Sequence, residues 1–394
     1  MKKLLVIGAS VLQLPGILKA KEMGFHVGVI DYNPNAVGVS YADEYFNVST
    51  IDIEGVVNTA LSFRPDGIIT LATDMPMRAV SKACKACGLP GISFDTAVKA
   101  TDKAEMIKSF EEHQVEHPWY RIIENREDLF AAANTITFPC VMKPTDNAGS
   151  KGVVLCKSKE ELSEEYEYSY GESRSGRVII EQYMKGPEFS VEIIALDGEP
   201  HVLQITEKIT TGAPFFVEMG HTQPSTRPEK EKQAICDLAC RAVKAIGIDN
   251  GPAHVEIILT ESGPKMVELG ARMGGDCITT HLVPLSTGID MIKATIDIAC
   301  GLRPDIEARF CKGAAIRYIN CPNGIIKSIR GVESARTLSG VTEVTMSKKP
   351  GDRIDGIKNS NDRPGFVIAQ AENAKKAGEI CAEAMQKIVI EMEE

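Results

Sequence analysis

The first hundred residues alternate short apolar runs with amphipathic stretches. Each apolar run ends in a polar or glycine turn and is followed by apolar residues at helical spacing. This alternation is typical of βαβ units around a buried parallel sheet. The predicted strands are Leu4–Ala9, His26–Asp31 and Gly67–Ala72, and the predicted helices are Leu14–Met23, Ile53–Phe63 and Met77–Cys87. We therefore expect a doubly wound domain at residues 1–95.

A turn in this domain matches part of a dinucleotide-binding fingerprint. Gly8–Gln13 follows the first strand and Asp31 closes the second, but the turn lacks the second and third glycines that let a backbone approach a pyrophosphate. A nicotinamide dehydrogenase is therefore a distant alternative, and Asp31 either serves a small substrate or only ends its strand. Thr73 and Asp74 follow a later strand, where doubly wound folds bind ligands.

After about Asp95 the strands show period-two alternation, which favours antiparallel pairing. Asp102 and Glu105 have capping-box spacing and predict the start of a helix. The predicted strands are Phe138–Lys143, Gly152–Lys157, Val178–Tyr183, Phe189–Leu196, His254–Thr260 and Lys265–Leu269, and the predicted helices are Lys159–Tyr166 and Glu229–Ile246. Beyond Gly301 we expect strands near Gly313–Ile319, Gly324–Ile329 and Gly365–Gln370 and a closing helix, Asn373–Met392.

Composition excludes several classes of function. The 394 residues carry a formal net charge of −10, which argues against broad contact with nucleic acid or anionic lipid. No apolar stretch approaches the length of a membrane span, and the apolar start has no cleavage site. Among 11 scattered cysteines only Cys84 and Cys87 have metal-like spacing, and we interpret them as reduced thiols in a helix. We expect a cytoplasmic protein.

The segment Lys143–Val153 joins a lysine at a strand end to a glycine-rich turn. Its backbone N–H groups, the Ser150 hydroxyl and the Lys151 ammonium suit the phosphates of a nucleotide, and Gly149 and Gly152 belong to the same turn. The segment is not a Walker A loop, because no helix opens with the required Gly-Lys-Ser/Thr run. A hairpin with an exposed lysine is the alternative.

A second polar group follows the next apolar strand, which ends at Glu181. A strand end with free backbone groups can contact an adenine edge, and a carboxylate further along can accept both ribose hydroxyls. Glu188 has the position for the second role. Alone, this pattern would be indistinguishable from a surface turn, and it gains weight from its place after the phosphate loop.

The strongest physical signal is a hairpin with two facing carboxylates. If the chain turns about Ser262 and Gly263, Glu256 lies opposite Glu268 with apolar neighbours on both strands. Two such carboxylates repel, and a divalent cation such as Mg²⁺ removes the repulsion. Two solvent-facing carboxylates are the alternative. Arg272 follows in a glycine-rich turn, where it can hold a carboxylate or a phosphoryl group in transfer.

Together these motifs resemble the ATP-grasp superfamily over nearly the whole chain. The resemblance implies an α/β and α+β fold in three parts: a doubly wound pre-ATP-grasp domain at 1–95, a two-lobed ATP-grasp domain at 96–300 with a mobile lobe at about 117–183, and a β-rich α+β C-terminal domain at 301–394. In this superfamily a carboxylate attacks ATP and an amine captures the acyl phosphate, which releases ADP and phosphate.

The resemblance also implies how ATP is held. Lys103 and Lys143 would neutralise the α- and β-phosphates, and the loop 148–153 would close over the γ-phosphate. The Glu181 carboxylate would accept from the adenine amino group, and the backbone at Tyr183 and Met184 would meet the ring. Glu188 would hold the ribose.

The metal site departs from the family pattern. Glu256 and Glu268 would bind Mg²⁺, with Mn²⁺ as the alternative, and Arg272 would orient the acyl phosphate. Many members have Asn two residues after the second glutamate, whereas Gly270 stands there in this chain. A ligand is therefore missing, which leaves open whether one or two ions bind and whether turnover is intact.

The substrate end resembles bacterial L-amino-acid ligases. Glu218 and His221 are three residues apart in a segment that lines the substrate pocket in that branch, and they could hold an ammonium group and take up a proton. A hydrogen-bonded loop histidine is an equal alternative for His221. Asp276 and Asp74 are further candidates for the pocket.

The leading hypothesis is an ATP- and Mg²⁺-dependent carboxylate–amine ligase for small amino-acid-like carboxylate and amine substrates. The alternatives are a purine-pathway ligase or bicarbonate-dependent carboxylase of the same superfamily, which would need a basic pocket, and a nucleotide-binding regulator without turnover. A homodimer is the expectation for this branch, and no nucleic acid or membrane partner is expected.

Overall fold

The computed structural model describes residues 1–147, 149 and 151–393. It begins with a parallel sheet in the order β3-β2-β1-β4. The strands are β1 (Lys3–Ile7), β2 (His26–Asp31), β3 (Glu44–Asn47) and β4 (Gly67–Ile69), and the helices are α1 (Leu14–Glu22), α2 (Ile53–Phe63), α3 (Met77–Cys87) and α4 (Phe94–Lys99). Leu4 and Val6 pack on the α1 side, whereas Leu5 and Ile7 pack against α2 and α3. Helices on both faces confirm the predicted doubly wound arrangement.

A smaller antiparallel sheet follows, in the order β5-β8-β6-β7. Its strands are β5 (Tyr120–Ile123), β6 (Cys140–Pro144), β7 (Val154–Cys156) and β8 (Val178–Gln182), and the accompanying helices are α6 (Arg126–Ala133) and α7 (Lys159–Gly171). We call this unit the lobe. The preceding helix α5 (Lys103–Glu112) packs against α4 and contributes Met106 and Phe110 to the main core. Asp102 caps α5, as predicted, by accepting from the Ala104 and Glu105 amides. The predicted phosphate loop joins β6 to β7, and Ala148 and Ser150 of that loop lie outside the described residues.

The third sheet has eight strands in the order β13-β12-β9-β10-β11-β14-β18-β16, and a three-stranded sheet, β17-β15-β19, lies beside it. The strands are β9 (Glu188–Leu196), β10 (Glu199–Thr210), β11 (Glu218–Gln223), β12 (Gly251–Thr260), β13 (Gly263–Gly270), β14 (Gly313–Tyr318), β15 (Gly324–Arg330), β16 (Val341–Met346), β17 (Arg353–Ile354), β18 (Gly365–Ala371) and β19 (Val389–Met392). The helices are α8 (Glu229–Ile246), α9 (Val283–Thr287), α10 (Met291–Ala299), α11 (Val332–Arg336) and α12 (Ala374–Lys387). The large sheet continues across residue 300, and the predicted domain boundary there stays a prediction.

The closing helix is shorter than predicted. The sequence suggested one helix over Asn373–Met392, but α12 ends at Lys387, Ile388 is extended, and Val389–Met392 pairs with β15. The prediction was wrong at this end because Ile388, Val389 and Ile390 are β-branched, and such residues fit a pleated sheet better than a helix.

Alternation in the large sheet decides where the candidate site lies. Val191, Val255 and Ile257 pack with the residues of α8 in the main core. Their strand neighbours, such as Glu192 and Glu256, point to the opposite face. This face is rich in polar side chains and is the floor of the site described below.

Two predictions from composition can be compared with the structure. The 11 cysteines are all free thiols, and Cys84 and Cys87 lie in α3, where burial raises the pKa of Cys84 to about 12. Within the described ranges, no helix combines the length and the apolar character needed to cross a membrane.

Candidate active site

A cavity of about 380 Å³ lies between the lobe and the floor strands. Its wall includes most of the residues that the sequence predicts for ATP: Lys103, Lys143, Gly149, Lys151, Glu181, Tyr183, Met184 and Glu188. We call it the nucleotide cavity. Gly152 lies off its wall, where a Cβ would come within 2.7 Å of the Pro144 ring. The structure therefore brings the predicted nucleotide residues together, and their individual roles stay predictions.

Lys143 and Glu181 form a nearly buried ion pair at one end of this cavity. The Lys143 ammonium nitrogen lies 2.7 Å from a Glu181 carboxylate oxygen, and less than a tenth of each side chain is exposed. The pairing of β6 with β8 sets Val141 opposite Glu181, which puts the two charges on one face. The two side chains thus neutralise each other's charge, and both line the cavity wall.

Glu188 stands further along the same wall. Burial raises the pKa of its carboxyl, and the nearby Lys208 ammonium works in the opposite direction. A carboxylate that is shielded from water in this way is a strong acceptor for ligand hydroxyls.

The hairpin of β12 and β13 pairs Glu256 with Glu268, as predicted. The turn lies one residue earlier than expected, because Thr260 pairs with Gly263. A bulge at Val267, where Ile257 pairs with Met266 and Glu256 with Glu268, adds the compensating residue. Both glutamates lie on the wall of the nucleotide cavity.

Three cations neutralise these two carboxylates. The sequence analysis assigned Lys103 to the phosphates and did not identify the other two. Lys103 lies 3.1 Å from Glu268, while Lys208 and His254 lie 2.8 and 3.2 Å from the two oxygens of Glu256. Burial would raise the pKa of both glutamates, but the Lys208 and Lys103 ammonium groups hold both values below the ordinary one. His254 and Glu256 alternate on β12, and this pattern could have identified His254.

His254 is itself held by a buried carboxylate. Its Nδ1 lies 2.7 Å from Glu192, which is fully buried on β9. Burial lowers the pKa of His254, but the Glu192 carboxylate outweighs this and raises it to about 9. The imidazolium form is therefore favoured beside Glu256 at neutral pH.

The two glutamates fit a divalent cation. They supply oxygen donors from adjacent strands, which suits Mg²⁺, because that ion takes one or two protein carboxylates and completes its shell with water and phosphate oxygens. In the described part of the chain, no group of three or more His, Cys, Asp or Glu side chains is placed to hold a metal. The site therefore resembles one that shares its ion with a phosphate ligand.

A second cavity of about 400 Å³ opens on the other side of the glutamates. It lies between the first sheet, the lobe and β13, and we call it the substrate cavity. Its wall shares Lys103, Asn147, Glu256 and Glu268 with the nucleotide cavity. The two cavities therefore meet at the predicted metal ligands.

Asp74 and Arg272 lie on the wall of the substrate cavity and bind each other. The guanidinium donates through Nε and Nη2 to the two Asp74 oxygens, both at 2.9 Å. A Cβ at Gly270 would lie 2.5 Å from an Asp74 oxygen and 2.9 Å from Arg272 Nε. Glycine at position 270, where the family pattern has Asn, thus leaves room for this ion pair.

The remaining substrate candidates are arranged differently. Glu218 lies on the wall of the nucleotide cavity, 3.3 Å from Lys208. His221 is 1% exposed, and neither of its ring nitrogens has a hydrogen-bond partner among the described residues. Its Nε2 lies 3.5 Å from Asp276, which Arg363 holds with two hydrogen bonds of 2.7 and 2.8 Å. His221 and Asp276 lie behind Glu218, off both cavity walls.

Two segments of the chain match known domain families. Residues 136–280 match the ATP-grasp domain family, and residues 317–393 match the L-amino acid ligase C-terminal domain 2 family. The chain contains an ATP-grasp domain and an L-amino acid ligase C-terminal domain. These domains and the relatives below support an ATP-dependent ligase.

The relatives include amino acid ligases. The alanine–anticapsin ligase of Bacillus subtilis is 26% identical over 316 residues, which cover 74% of this chain and 66% of the relative. The L-arginine-specific L-amino acid ligase of Bacillus subtilis is 24% identical over 316 residues, which cover 78% and 76%. The crystal structure of the L-amino acid ligase from Bacillus licheniformis has a TM-score of 0.85 at 24% identity and covers 100% of this chain and 99% of that one. This structural likeness shows the fold.

The ATP-grasp domain and the C-terminal domain meet at a residue that sequence reasoning missed. Arg363 precedes β18, stacks 3.6 Å above the Tyr318 ring, and donates to the Glu218 carbonyl as well as to Asp276. No local pattern marks it, because its partners are 87 and 145 residues away in sequence.

Proposed function

We propose that this protein is an ATP- and Mg²⁺-dependent carboxylate–amine ligase that acts on small amino-acid-like substrates. The observation that carries the proposal is the shared wall of the two cavities, formed by Lys103, Glu256 and Glu268 with Asn147. A nucleotide whose adenine end lies near Glu181 would direct its phosphates toward this wall. A carboxylate in the substrate cavity would approach the same wall from the other side.

The charges along the nucleotide cavity support phosphoryl transfer. Lys103, Lys143 and Lys151 provide cations on the phosphate side. Glu256 and Glu268 would hold Mg²⁺, which supplies charge neutralisation for the phosphates when bound. Phosphoryl transfer depends mainly on positioning and on neutralising charge, so this set of side chains needs no covalent nucleophile.

The proposed reaction has two steps. A substrate carboxylate oxygen forms a bond to the γ-phosphorus of ATP as the bond to the β-phosphate oxygen breaks, which gives an acyl phosphate and ADP. The amine then forms a bond to the acyl carbon, phosphate leaves, and the ammonium nitrogen loses a proton. Arg272 lies on the wall of the substrate cavity, where its guanidinium would orient the acyl phosphate. Its present partner there is Asp74.

Proton uptake is the role proposed for Glu218 and His221. Glu218 faces the nucleotide cavity, and the buried ring of His221 has no hydrogen-bond partner in the described residues, although most buried polar groups have one. Because the ring lies off both cavity walls, we propose that a bridging water connects it with Glu218, which faces the cavity. Asp276 would keep the ring in place from behind.

The proposal is tested by ADP release across a panel of amino acids, supplied singly and in pairs with ATP and Mg²⁺. A ligase releases ADP only when a carboxylate and an amine are both present, and mass spectrometry detects the joined product. ADP release with bicarbonate or a phosphoribosylamine in place of amino acids would favour the other enzymes of the superfamily. The absence of substrate-dependent ADP with every pair would overturn the proposal.

A further inference from the structure

The described wall of the substrate cavity contains five basic side chains, and two of them have no carboxylate partner among the described residues. His254 is paired with Glu192 and Glu256. Lys103 is paired with Glu268 and Arg272 with Asp74. Arg78 and Arg174 line the same wall, and neither forms an ion pair within the described residues. A guanidinium carries five donors, so these two residues retain most of their capacity to bind an anion.

Arg78 reaches the cavity from the first turn of α3. Its only side-chain hydrogen bond in the described chain runs from Nε to the Thr101 hydroxyl, at 2.8 Å. Both Nη groups are left for a ligand. The neighbouring residues Met75 and Ala79 lie on the same wall and add apolar surface.

Arg174 reaches the cavity from the lobe, in the turn between α7 and β8. The backbone of this turn is fixed, because Asp146 accepts from the amides of Arg174 and Ser175 at 3.1 and 2.7 Å. Among the described residues, its only side-chain hydrogen bond runs from Nη1 to the Met75 sulfur, at 3.0 Å, which is a weak acceptor. By contrast, Arg177 three residues later is committed to Asp102 and Glu105.

We infer that Arg78 and Arg174 bind a second acidic group of the substrate, a carboxylate or a phosphate, at the end of the cavity away from the reacting carboxylate. The inference rests on the proposed function, because the proposed function places the reacting carboxylate at the wall formed by Glu256 and Glu268. The substrate is thus an acidic amino acid or a phosphorylated one. Arg78 lies on α3 of the first domain and Arg174 lies in a turn of the lobe, so an acid that binds both side chains contacts both units.

The part of the substrate cavity between the two arginines and the Glu256–Glu268 wall suits an acidic substrate of this kind. Ile51, Ile53, Met75 and Met106 form an apolar strip along the wall, against which a short hydrocarbon segment can pack. The sequence analysis required a basic pocket for the purine-pathway alternative and identified none. Arg78 and Arg174 form a basic pocket of this kind, so the substrates tested below include a phosphorylated amino acid.

The test compares matched substrates. The kcat/KM for ADP release is measured for aspartate against asparagine, glutamate against glutamine, and phosphoserine against serine, with a common partner amino acid. We expect the acidic member to be preferred by roughly tenfold or more, because Arg–carboxylate hydrogen bonds are charge-assisted. Preference for the dicarboxylates identifies a carboxylate ligand, and preference for phosphoserine identifies a phosphate.

Two variants test the residues, Arg174→Gln and Arg78→Gln, with Arg126→Gln as the matched control. Arg126 is an exposed lobe residue that pairs with Glu167 and lies on neither cavity wall. We expect each cavity variant to raise the KM of the acidic substrate about tenfold and to reduce the acid-to-amide ratio, while the control keeps both values. Equal use of acid and amide by the unmodified protein, or unchanged ratios in both variants, would overturn the inference.

Calorimetric binding of the same compounds separates this inference from the proposed function. If no pair supports ADP release, the ligase proposal fails, but saturable binding of the acidic member that weakens in Arg174→Gln still supports the anion site. ADP release with neutral amino acids alone, without binding of the acids, leaves the ligase intact and overturns the anion site.

Discussion

The Lys208 ammonium nitrogen lies 2.8 Å from a carboxylate oxygen of Glu256, and only 3% of the lysine side chain is exposed. Glu218 lies 3.3 Å from the same nitrogen. Burial opposes the charge on Lys208, but Glu256 and Glu218 outweigh it and raise its pKa above the ordinary value. Lys208 therefore holds together the acidic floor of the candidate site.

Replacing Lys208 by Met should destabilise the protein in a way that Mg²⁺ partly reverses. Removing one partner of a buried ion pair leaves the other charge uncompensated, so we expect a loss of about 3 kcal/mol in the free energy of unfolding. Urea unfolding with and without Mg²⁺ measures this. The control is Lys244→Met, because its ion pair with Glu199 is exposed to water and should contribute little to stability. Equal effects of Mg²⁺ on both variants would contradict the metal assignment near Glu256.

Glu268→Gln should weaken the use of Mg²⁺. The substitution keeps the shape of the side chain but replaces one of the two proposed carboxylate ligands by a neutral amide. We therefore expect turnover to fall roughly a hundredfold. The Mg²⁺ concentration that gives half-maximal ADP release should rise. Glu261→Gln, at the exposed turn of the same hairpin, should leave both values unchanged. If Glu268→Gln shows the same Mg²⁺ dependence as the unmodified protein, Glu268 is not a metal ligand.

The facing glutamates show how far sequence reasoning reaches. Period-two alternation and a Gly-Pro turn were enough to pair Glu256 with Glu268, although the turn was placed one residue late and an unforeseen bulge at Val267 restored the register. Local patterns fix such pairs because only a short turn separates the strands. The same local signals predicted three of the four strands of the first sheet, and they missed only the short edge strand β3 there.

Long-range pairs could not be predicted in this way. Arg272 and Asp74 are 198 residues apart, and each has a plausible separate function in the sequence. Lys208 was missed because β10 was not identified as a strand, so nothing placed its side chain beside Glu256. A sequence pattern predicts on which face of a strand or helix a side chain lies. The ion pairs between residues far apart in sequence depend instead on how whole sheets pack together.

Gly270 should not tolerate a side chain. A Cβ at this position would lie 2.5 Å from an Asp74 oxygen, so Gly270→Ala must displace the Asp74–Arg272 pair. We expect a loss of about 1 to 3 kcal/mol in the free energy of unfolding and a higher KM for the carboxylate substrate. Gly275→Ala is the matched control in the same turn, because its Cβ would meet only Ala72, at 3.8 Å. Similar losses in both variants would show that the turn, and not the ion pair, requires glycine.

Asp276 should make the stability of the protein depend on pH in the acid range. Burial would raise the pKa of this carboxyl, but the two hydrogen bonds from Arg363 and the nearby ring of His221 hold it well below its ordinary value. In the unfolded chain the pKa is about 3.9. A carboxyl with a lowered folded pKa contributes stability that is complete above the unfolded pKa and is lost as pH falls through the folded pKa.

Asp276→Asn removes this contribution, so the difference in unfolding free energy between the two proteins should be about 2 to 4 kcal/mol near pH 6 and should shrink below about pH 4. Urea unfolding from pH 6 to pH 3 gives both curves, and the carboxylates common to both proteins cancel in the difference. Asp95→Asn, whose side chain is 75% exposed beside Lys99, should follow the unmodified protein in parallel. A constant difference between the Asp276 variant and the unmodified protein at every pH would mean that Asp276 stabilises the fold through packing rather than through its charge.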